Sequence, residues 1–397
     1  MLKIINGKYD ETGAEILIKD AKFPAPFVSG LEYSPPAHGA WNIVHTGMLI
    51  PESLQIYICA QGCLRGVVLT AAEMNVSNRF STIAIRENNV LDGDMEALII
   101  DGVTDIISKL PAKPRAILIF TSCIHHFMGC DLELVYRILR ERFLDINFTD
   151  CYMNPIMRKS GMTPDQKMRQ QLYSFLKPSS VHKKCINIIG NNLPTEESSD
   201  LARMIIENGF ELKDITSCTT YEEYLSMAES VANISYNPVA MISGDTLQTR
   251  LDQKHLYLPL SYGYTEIESN LNQLAAYLHI ETPNFTGGKA KAEKALKSAK
   301  EIIGDTPIAI DYTATMRPVG LARLLIEHGF KVVAVYVDTI NEEERQDFIW
   351  MKEHAPIMKL YATLQVKMRF IHQNSDTKSL AIGQKAAYFT RSEERRV

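Results

Sequence analysis

Two pairs of cysteines each follow a strand-like apolar run in this sequence. Cys59 and Cys63 follow the first run, and Cys123 and Cys130 follow the second. In a parallel α/β sheet, the loops at the carboxyl ends of the strands converge on one edge, where ligands bind. Four thiols are the usual complement for a 4Fe–4S cluster or for tetrahedral zinc. The sequence therefore predicts a soft metal centre held by these four cysteines.

Local features around the cysteines favour metal binding over simple burial. The spacing of Cys59 and Cys63 brings two sulfurs round one turn and sets Cys63 near a helix N-terminus, where partial positive charge favours the thiolate. Gly62 and Gly129 let the backbone approach a bulky inorganic core. The alternative is that these cysteines only fill the core, because cysteine is among the most buried residue types.

The remaining cysteines and two histidines have less specific surroundings. Cys151 follows a strand and could be a spare ligand, but we expect a structural role, and Cys185 begins a strand and is expected in the core. Cys218 lies beside a helix N-cap and has no partner in sequence. His125 and His126 could donate protons or hydrogen bonds to sulfide, or could only pack and face solvent.

Composition excludes several classes of protein. The 397 residues are 46% hydrophobic and 22% charged, which is typical of globular domains and long enough for two or three of them. A net charge of −5 gives no bulk attraction to nucleic acid or anionic membranes. We find no signal-peptide pattern and expect a cytoplasmic protein whose seven cysteines stay reduced.

Common cofactor and catalytic motifs are missing from the sequence. It contains no G-x-x-x-x-G-K-[ST] phosphate loop, so we expect no ATP hydrolysis by that route. It also lacks the G-x-G-x-x-G, H-E-x-x-H and G-x-S-x-G patterns.

Short apolar runs alternate with helix-like stretches before the linker at 177–180. The predicted strands of this part are 53–59, 80–86, 115–122 and 146–152. The predicted helices are 62–74, 94–110, 131–143 and 163–176. The strands are apolar without alternation, as expected for parallel strands covered on both faces.

Two further α/β units follow the linker, and they resemble each other. The predicted elements of the first of them include a helix at 196–208 and a strand at 255–260. Residues 200–212 and 320–332 match in register, and both read as a helix, a glycine stop and a strand. The predicted fold class is α/β with three Rossmann-like domains and parallel sheets. The predicted divisions are an N-terminal arm at 1–35, a cluster-bearing α/β domain at 36–178, a second domain at 179–285, and a third domain with a short tail at 286–397.

With these units and cysteines, the chain resembles the component 1 superfamily of nitrogenase over most of 36–385. This group includes the nitrogenase α and β subunits, cofactor-assembly scaffolds, dark-operative protochlorophyllide reductase subunits and a reductase of nickel-tetrapyrrole biosynthesis. Gln-Gly-Cys at 61–63 is similar to the family's Gly-Pro-x-Gly-Cys turn, and Thr-Ser-Cys at 121–123 is similar to its strand-end Ser-Glu-Cys. Residues 231–235 and 311–337 are further matches.

The resemblance implies an iron–sulfur cluster at a subunit interface, bound at the positions of Cys63 and Cys123. Cys59 and Cys130 depart from the family pattern. Another family cysteine, expected before the first helix, is missing from 34–40, and Cys59 or Cys130 would replace it. The cluster is then either a 4Fe–4S cube within one subunit or a larger cluster shared between subunits.

The resemblance also bears on the substrate. Nitrogenase α subunits anchor their catalytic cofactor through a cysteine where this chain has Asn237, and the family's C-terminal His-bearing extension has no counterpart after 381–388. We therefore expect no molybdenum cofactor and no reduction of dinitrogen.

The leading expectation is a nitrogenase-like oxidoreductase, at least a homodimer or a heterodimer with a related subunit. Its electron donor would be a separate ATP-hydrolysing iron–sulfur protein. The alternatives are a non-catalytic scaffold or carrier for cluster or metallocofactor assembly, a structural zinc protein with four cysteine ligands, and a metal-free α/β binding protein.

Overall fold

A computed structural model of the chain describes residues 13–28, 30–33, 42–154, 161–369 and 379–390. The strands in these residues are, in chain order, β1 (Glu15–Leu17), β2 (Ser53–Ala60), β3 (Phe80–Ile85), β4 (Ala116–Ser122), β5 (Asn147–Met153), β6 (Cys185–Ile188), β7 (Glu211–Asp214), β8 (Ala232–Ser235), β9 (Lys254–Tyr257), β10 (Ile308–Asp311), β11 (Val332–Tyr336), β12 (Lys359–Tyr361) and β13 (Leu380–Ile382).

The α-helices in the same residues are α1 (Ile43–Gly47), α2 (Gln61–Glu73), α3 (Glu87–Asp92), α4 (Met95–Lys109), α5 (Cys123–Met128), α6 (Leu132–Arg142), α7 (Pro164–Gln171), α8 (Asp200–Glu207), α9 (Tyr221–Leu225), α10 (Met241–Leu251), α11 (Tyr264–Leu278), α12 (Thr286–Ile303), α13 (Pro318–Glu327), α14 (Arg345–His354) and α15 (Gln384–Thr390). The chain divides into two compact units, Trp41–Leu258 and the combination of Met1–Ala40 with Pro259–Val397.

The first sheet of the unit Trp41–Leu258 is parallel, with the strand order β3-β2-β4-β5. All residues of β4 are buried, because helices cover both faces of the sheet. Alternate side chains of β2 enter two different hydrophobic clusters. Ile56 and Ile58 pack on one face, whereas Tyr57 and Cys59 pack on the other.

The second sheet of this unit is also parallel, with the order β7-β6-β8-β9. Its interior contains a hydrogen-bonded row of amide side chains. Asn187 donates to Asn233 at 2.9 Å, and Asn233 donates to Gln253 at 3.1 Å. All three residues are buried, so these mutual bonds satisfy groups that water cannot reach.

The third sheet belongs to the other unit and has the order β1-β12-β11-β10-β13. Strands β10 to β13 pair in parallel, while β1 adds to the edge in antiparallel orientation, with Ile16 opposite Leu360. Part of the segment predicted as an N-terminal arm is therefore an edge strand.

The internal repeat predicted from the sequence has the same local geometry in both copies. Helices α8 and α13 end before Gly209 (φ 74°) and Gly329 (φ 76°), a left-handed backbone that glycine adopts without strain. The amide of Phe210 donates to the carbonyl of Ile205 at 3.1 Å, and the equivalent bond from Phe330 is 3.0 Å. Both helices thus end in a Schellman motif before the next parallel strand.

Element ends differ from prediction where capping or proline decides them. The helix predicted at 196–208 begins later, because the Ser199 hydroxyl accepts the amide of Ala202 at 3.2 Å and caps α8. The strand predicted at 255–260 ends at Tyr257, before Pro259, which has no amide hydrogen to donate.

The predicted fold class, α/β with three Rossmann-like parallel sheets, is confirmed. Among the helices in the described ranges, none has the length and apolar character needed to span a membrane.

Candidate metal centre

Strands β2 and β4 place two of the predicted ligands at neighbouring strand ends. Ile58 pairs with Thr121 in parallel register. Cys59 directly follows this pair on β2, and Cys123 lies just beyond it as the first residue of α5. Cys123 is half-buried.

Cys63 lies in the first turn of α2 and is exposed. A Cβ atom built on the preceding Gly62 would meet no described atom within 4 Å. The same is true of Gly129, which adopts the left-handed conformation (φ 65°) at the end of α5. The backbone is therefore open at both loops, as the sequence led us to expect.

Cys59 differs from these two because it is fully buried among the aromatic residues Tyr57 and Phe120. Burial, followed by the neighbouring Cys63 and Cys123, raises the pKa of the Cys59 thiol to about 12. Cys63 and Cys123 thus each lie within electrostatic range of Cys59. Because a metal binds the thiolate, Cys59 must lose its proton to become a ligand.

Cys130 lies among different neighbours. It packs against the cluster that contains Ile56 and Ile58, on the face of the sheet opposite to Cys59. Its pKa is raised to about 12 by burial and by the neighbouring carboxylate of Glu96. The structure therefore gives Cys130 a polar neighbour on the face of the sheet opposite to Cys59.

His125 brings an unpaired donor to the loop that carries Cys123. Its Nδ1 accepts the amide hydrogen of Ser122 at 3.1 Å, which leaves the ring hydrogen on Nε2. Nε2 is buried and has no hydrogen-bond partner among the described residues. Burial also lowers the pKa of the ring. A hydrogen-bond acceptor next to Nε2, such as a sulfur, would satisfy this donor. The neighbouring His126 is exposed.

The other cysteines occupy structural positions. Cys151 is fully buried in the core, as predicted. Cys185 is also buried, and its thiol donates to Glu211 at 3.4 Å. The thiol of Cys218, which is half-buried, donates to the carbonyl of Asp214 at 3.5 Å.

The donor set fits an iron–sulfur cluster only in part within one chain. Cys59, Cys63 and Cys123 share one sheet edge, but within the described ranges no group of three or more His, Cys, Asp or Glu side chains is arranged to hold a metal ion. The four-cysteine ligand set with Cys130 therefore stays a prediction, and a cluster at this edge would need further donors, supplied by movement or by a second chain.

The sequence departs from the family pattern at Asn237 and in the segment 34–40. Asn237 accepts the amide of Val239 at 3.1 Å and donates to the carbonyl of Gly190 at 3.4 Å, so it caps the turn before α10. The segment 34–40, where a family cysteine is missing, lies outside the described residues.

Sequence reasoning missed the polar neighbour of Cys130. Glu96 lies in the first turn of α4, far from Cys130 along the chain, and its carboxylate accepts the amide of Asp131 at 2.7 Å. No local pattern in one sequence links two such positions. The buried Nε2 of His125 likewise depends on packing and not on spacing.

The family model described as nitrogenase component 1 type oxidoreductase matches residues 37–388. No curated protein matches the sequence. A solved chain titled "Nitrogenase Cp1 at pH 6.5" has a TM-score of 0.63 at 16% identity, covering 87% of this chain and 81% of that one. A chain titled "Nitrogenase Cp1 at pH 5" has a TM-score of 0.59 at 12% identity, covering 95% and 89%. The likeness to these structures concerns the fold, and the family model covers most of the chain, so this protein belongs to the nitrogenase component 1 type oxidoreductase family.

Proposed function

We propose that the protein is the substrate-reducing component of a nitrogenase-like system. It would receive low-potential electrons from a separate ATP-hydrolysing iron–sulfur protein, and this chain has no phosphate loop of its own. The observation that carries the proposal is the placement of Cys63 and Cys123 in the first turns of α2 and α5, the helices that follow two neighbouring parallel strands, with Cys63 exposed and Cys123 half-buried. Family membership over residues 37–388 supports the reaction class.

Cys63 and Cys123 would bind the cluster directly, and Cys59 is the nearest further thiol. Cys130 would join them only after leaving Glu96. When bound, a cluster would supply a low-potential site for electron transfer. The Nε2 hydrogen of His125 would donate to a sulfur, and such hydrogen bonds tune the potential of a cluster.

A cluster shared between two chains accounts best for the incomplete donor set. The helix of each accessible cysteine also exposes apolar side chains: Val68 and Leu69 on α2, and Phe127 on α5. Exposed apolar side chains close together are typical of interfaces. Two copies of Cys63 and Cys123 would provide four thiolates, and a related subunit could replace the second copy. A reducing compartment such as the cytoplasm would keep all seven thiols free.

Anaerobic reconstitution with iron and sulfide tests this proposal. We expect a brown protein that contains both elements, gives an EPR signal after reduction and is re-oxidised by an added electron acceptor. Cys63→Ala and Cys123→Ala should lose the signal, whereas Cys185→Ala should keep it as a matched control. A protein that stays colourless contradicts the proposal.

The same preparation separates the two alternatives. A scaffold would hold the cluster and transfer it to an apo-protein, with no redox turnover. A structural zinc protein would contain zinc without sulfide after purification from cells.

A further inference from the structure

Lys385 is an unusual residue of the unit that contains the third sheet. It lies in the first turn of α15, directly after β13, and is only 4% exposed. Because β13 pairs in parallel with β10, Lys385 and Asp311 both lie at the carboxyl edge of this sheet. That edge is where open α/β sheets bind their ligands.

The ammonium group of Lys385 has no hydrogen bond and no ion pair with any residue that the structure describes. Its contact is with the ring of Tyr312, whose centroid lies 5.6 Å from Nζ. Burial lowers the pKa of Lys385, although Asp338 and Asp311 act in the opposite direction. A buried cation without a partner destabilises a fold, and such groups are concentrated at functional sites.

The two nearby carboxylates are already occupied by other donors. Asp311 accepts the amides of Thr313 at 2.5 Å and Ala386 at 2.6 Å. Asp338 accepts the amides of Thr363 at 2.8 Å and Leu364 at 3.0 Å, and also the hydroxyl of Thr363. These bonds fix both carboxylates and disperse their charge, so neither is directed at Lys385.

Tyr33 adds a second unsatisfied group to this edge. Its hydroxyl is buried without a hydrogen-bond partner in the described part of the chain. Burial raises the pKa of Tyr33 to about 12, with Asp338 among the contributing neighbours. Its amide donates to the carbonyl of Leu364 at 2.8 Å, which fixes Tyr33 beside the segment that holds Asp338.

We propose that Lys385 and Tyr33 form a binding site for a carboxylate group of a small organic ligand. One ammonium and one hydroxyl match the two oxygens and the single charge of a carboxylate. A phosphate dianion would bring more negative charge next to Asp311 and Asp338, and is therefore disfavoured. The site contains no cysteine and is independent of the proposed cluster.

Calorimetric titration of the full chain with acetate, propionate and inorganic phosphate tests this site. We expect the carboxylates to bind more tightly than phosphate. Lys385→Met should weaken carboxylate binding by about tenfold or more, because a buried charged partner is lost. Lys331 is an exposed lysine before β11, and Lys331→Met should bind carboxylates as tightly as the unaltered chain does. Without ligand, Lys385→Met should melt at the same temperature as the unaltered chain or higher, because methionine fills similar space without burying a charge.

A second measurement does not depend on a folded variant. Propionate should protect Lys385 of the unaltered chain from acetic anhydride, as read by peptide mass spectrometry, and should not protect Lys331. Preference for phosphate, carboxylate binding unchanged in Lys385→Met, a markedly lower melting temperature for that variant, or the absence of protection would each overturn the proposal.

Discussion

The thiol of Cys130 lies beside the carboxylate of Glu96, on the face of the first sheet opposite to Cys59. This pairing divides the cysteines into two groups. Cys63 and Cys123 both raise the pKa of Cys59, whereas Glu96 of α4 raises the pKa of Cys130.

Removal of individual cysteines should therefore have unequal effects on iron binding. We expect Cys63→Ala and Cys123→Ala to abolish iron binding after reconstitution, and Cys130→Ala to retain most of it. The reason is that Cys130 must move away from Glu96 to bind a metal. Iron and sulfide analysis per chain makes the comparison, and equal loss in all three variants would restore Cys130 to the ligand set.

Substitution of two glycines that have a left-handed backbone distinguishes the cost of backbone strain from the cost of steric overlap. Gly93 (φ 69°) has no described atom within 4 Å of an added Cβ, whereas a Cβ on Gly190 (φ 83°) would lie 2.2 Å from that of Ala240. We expect Gly93→Ala to lower the free energy of unfolding by about 1 kcal/mol. Gly190→Ala should cost about 3 kcal/mol or more, because overlap adds to strain. Denaturant unfolding measures both, and equal losses would argue against the close packing at Ala240.

Glu344 predicts a dependence of stability on pH. Its side chain is buried and accepts the amides of Val319 at 2.7 Å and Gly320 at 3.1 Å at the start of α13. Burial outweighs these bonds and raises its pKa from 4.5 to about 7. The folded protein therefore keeps a proton that the unfolded chain loses between these values, so the free energy of unfolding falls as pH rises through this window.

Glu344→Gln should remove this contribution because an amide oxygen can accept the same bonds without ionising. We expect the free energy of unfolding of the variant to exceed that of the unaltered chain by up to about 3 kcal/mol at pH 8, and by less at pH 5. Glu342 is the control, since its exposed carboxylate pairs with Arg345 and its pKa is lowered. Glu342→Gln should change stability slightly and in the opposite direction. A difference for Glu344→Gln that is independent of pH would exclude this account.

Ser235, His255 and Asp245 are arranged in a row like the members of a catalytic triad, but their solvent exposure differs from that of a triad. Ser235 Oγ lies 2.8 Å from His255 Nε2, and His255 Nδ1 lies 3.2 Å from Asp245 Oδ1. Ser235 is fully buried, whereas the Asp245 side chain is 72% exposed, the reverse of a working triad. Ser235→Ala should cost about 1 to 2 kcal/mol through an unpaired buried imidazole, and Asp245→Asn less than about 0.5 kcal/mol. Labelling of Ser235 by a fluorophosphonate would contradict this structural role.

Local sequence patterns were sufficient for most of the fold. The apolar run at 116–122 predicted a strand buried on both faces, and the glycines after α8 and α13 predicted two helix ends that share one geometry. These features depend on neighbouring residues, so a single sequence contains them.

The surroundings of the candidate sites could not be obtained in this way. Glu96 and Cys130 meet because α4 and the end of α5 lie on one face of the sheet, and Lys385 lacks a partner because Asp311 binds Ala386 instead. Such relationships depend on three-dimensional packing between residues far apart in sequence. Spacing therefore predicted the edge that carries Cys59 and Cys123, and not the different environment of Cys130.

Native mass spectrometry of the anaerobically reconstituted protein tests the central claim most directly. We predict a complex of two chains whose mass includes iron and sulfide, and which loses that mass in Cys63→Ala and Cys123→Ala but keeps it in Cys185→Ala. Two chains without bound iron and sulfide, or full retention of both elements in Cys63→Ala and Cys123→Ala, would contradict a cluster held at this sheet edge.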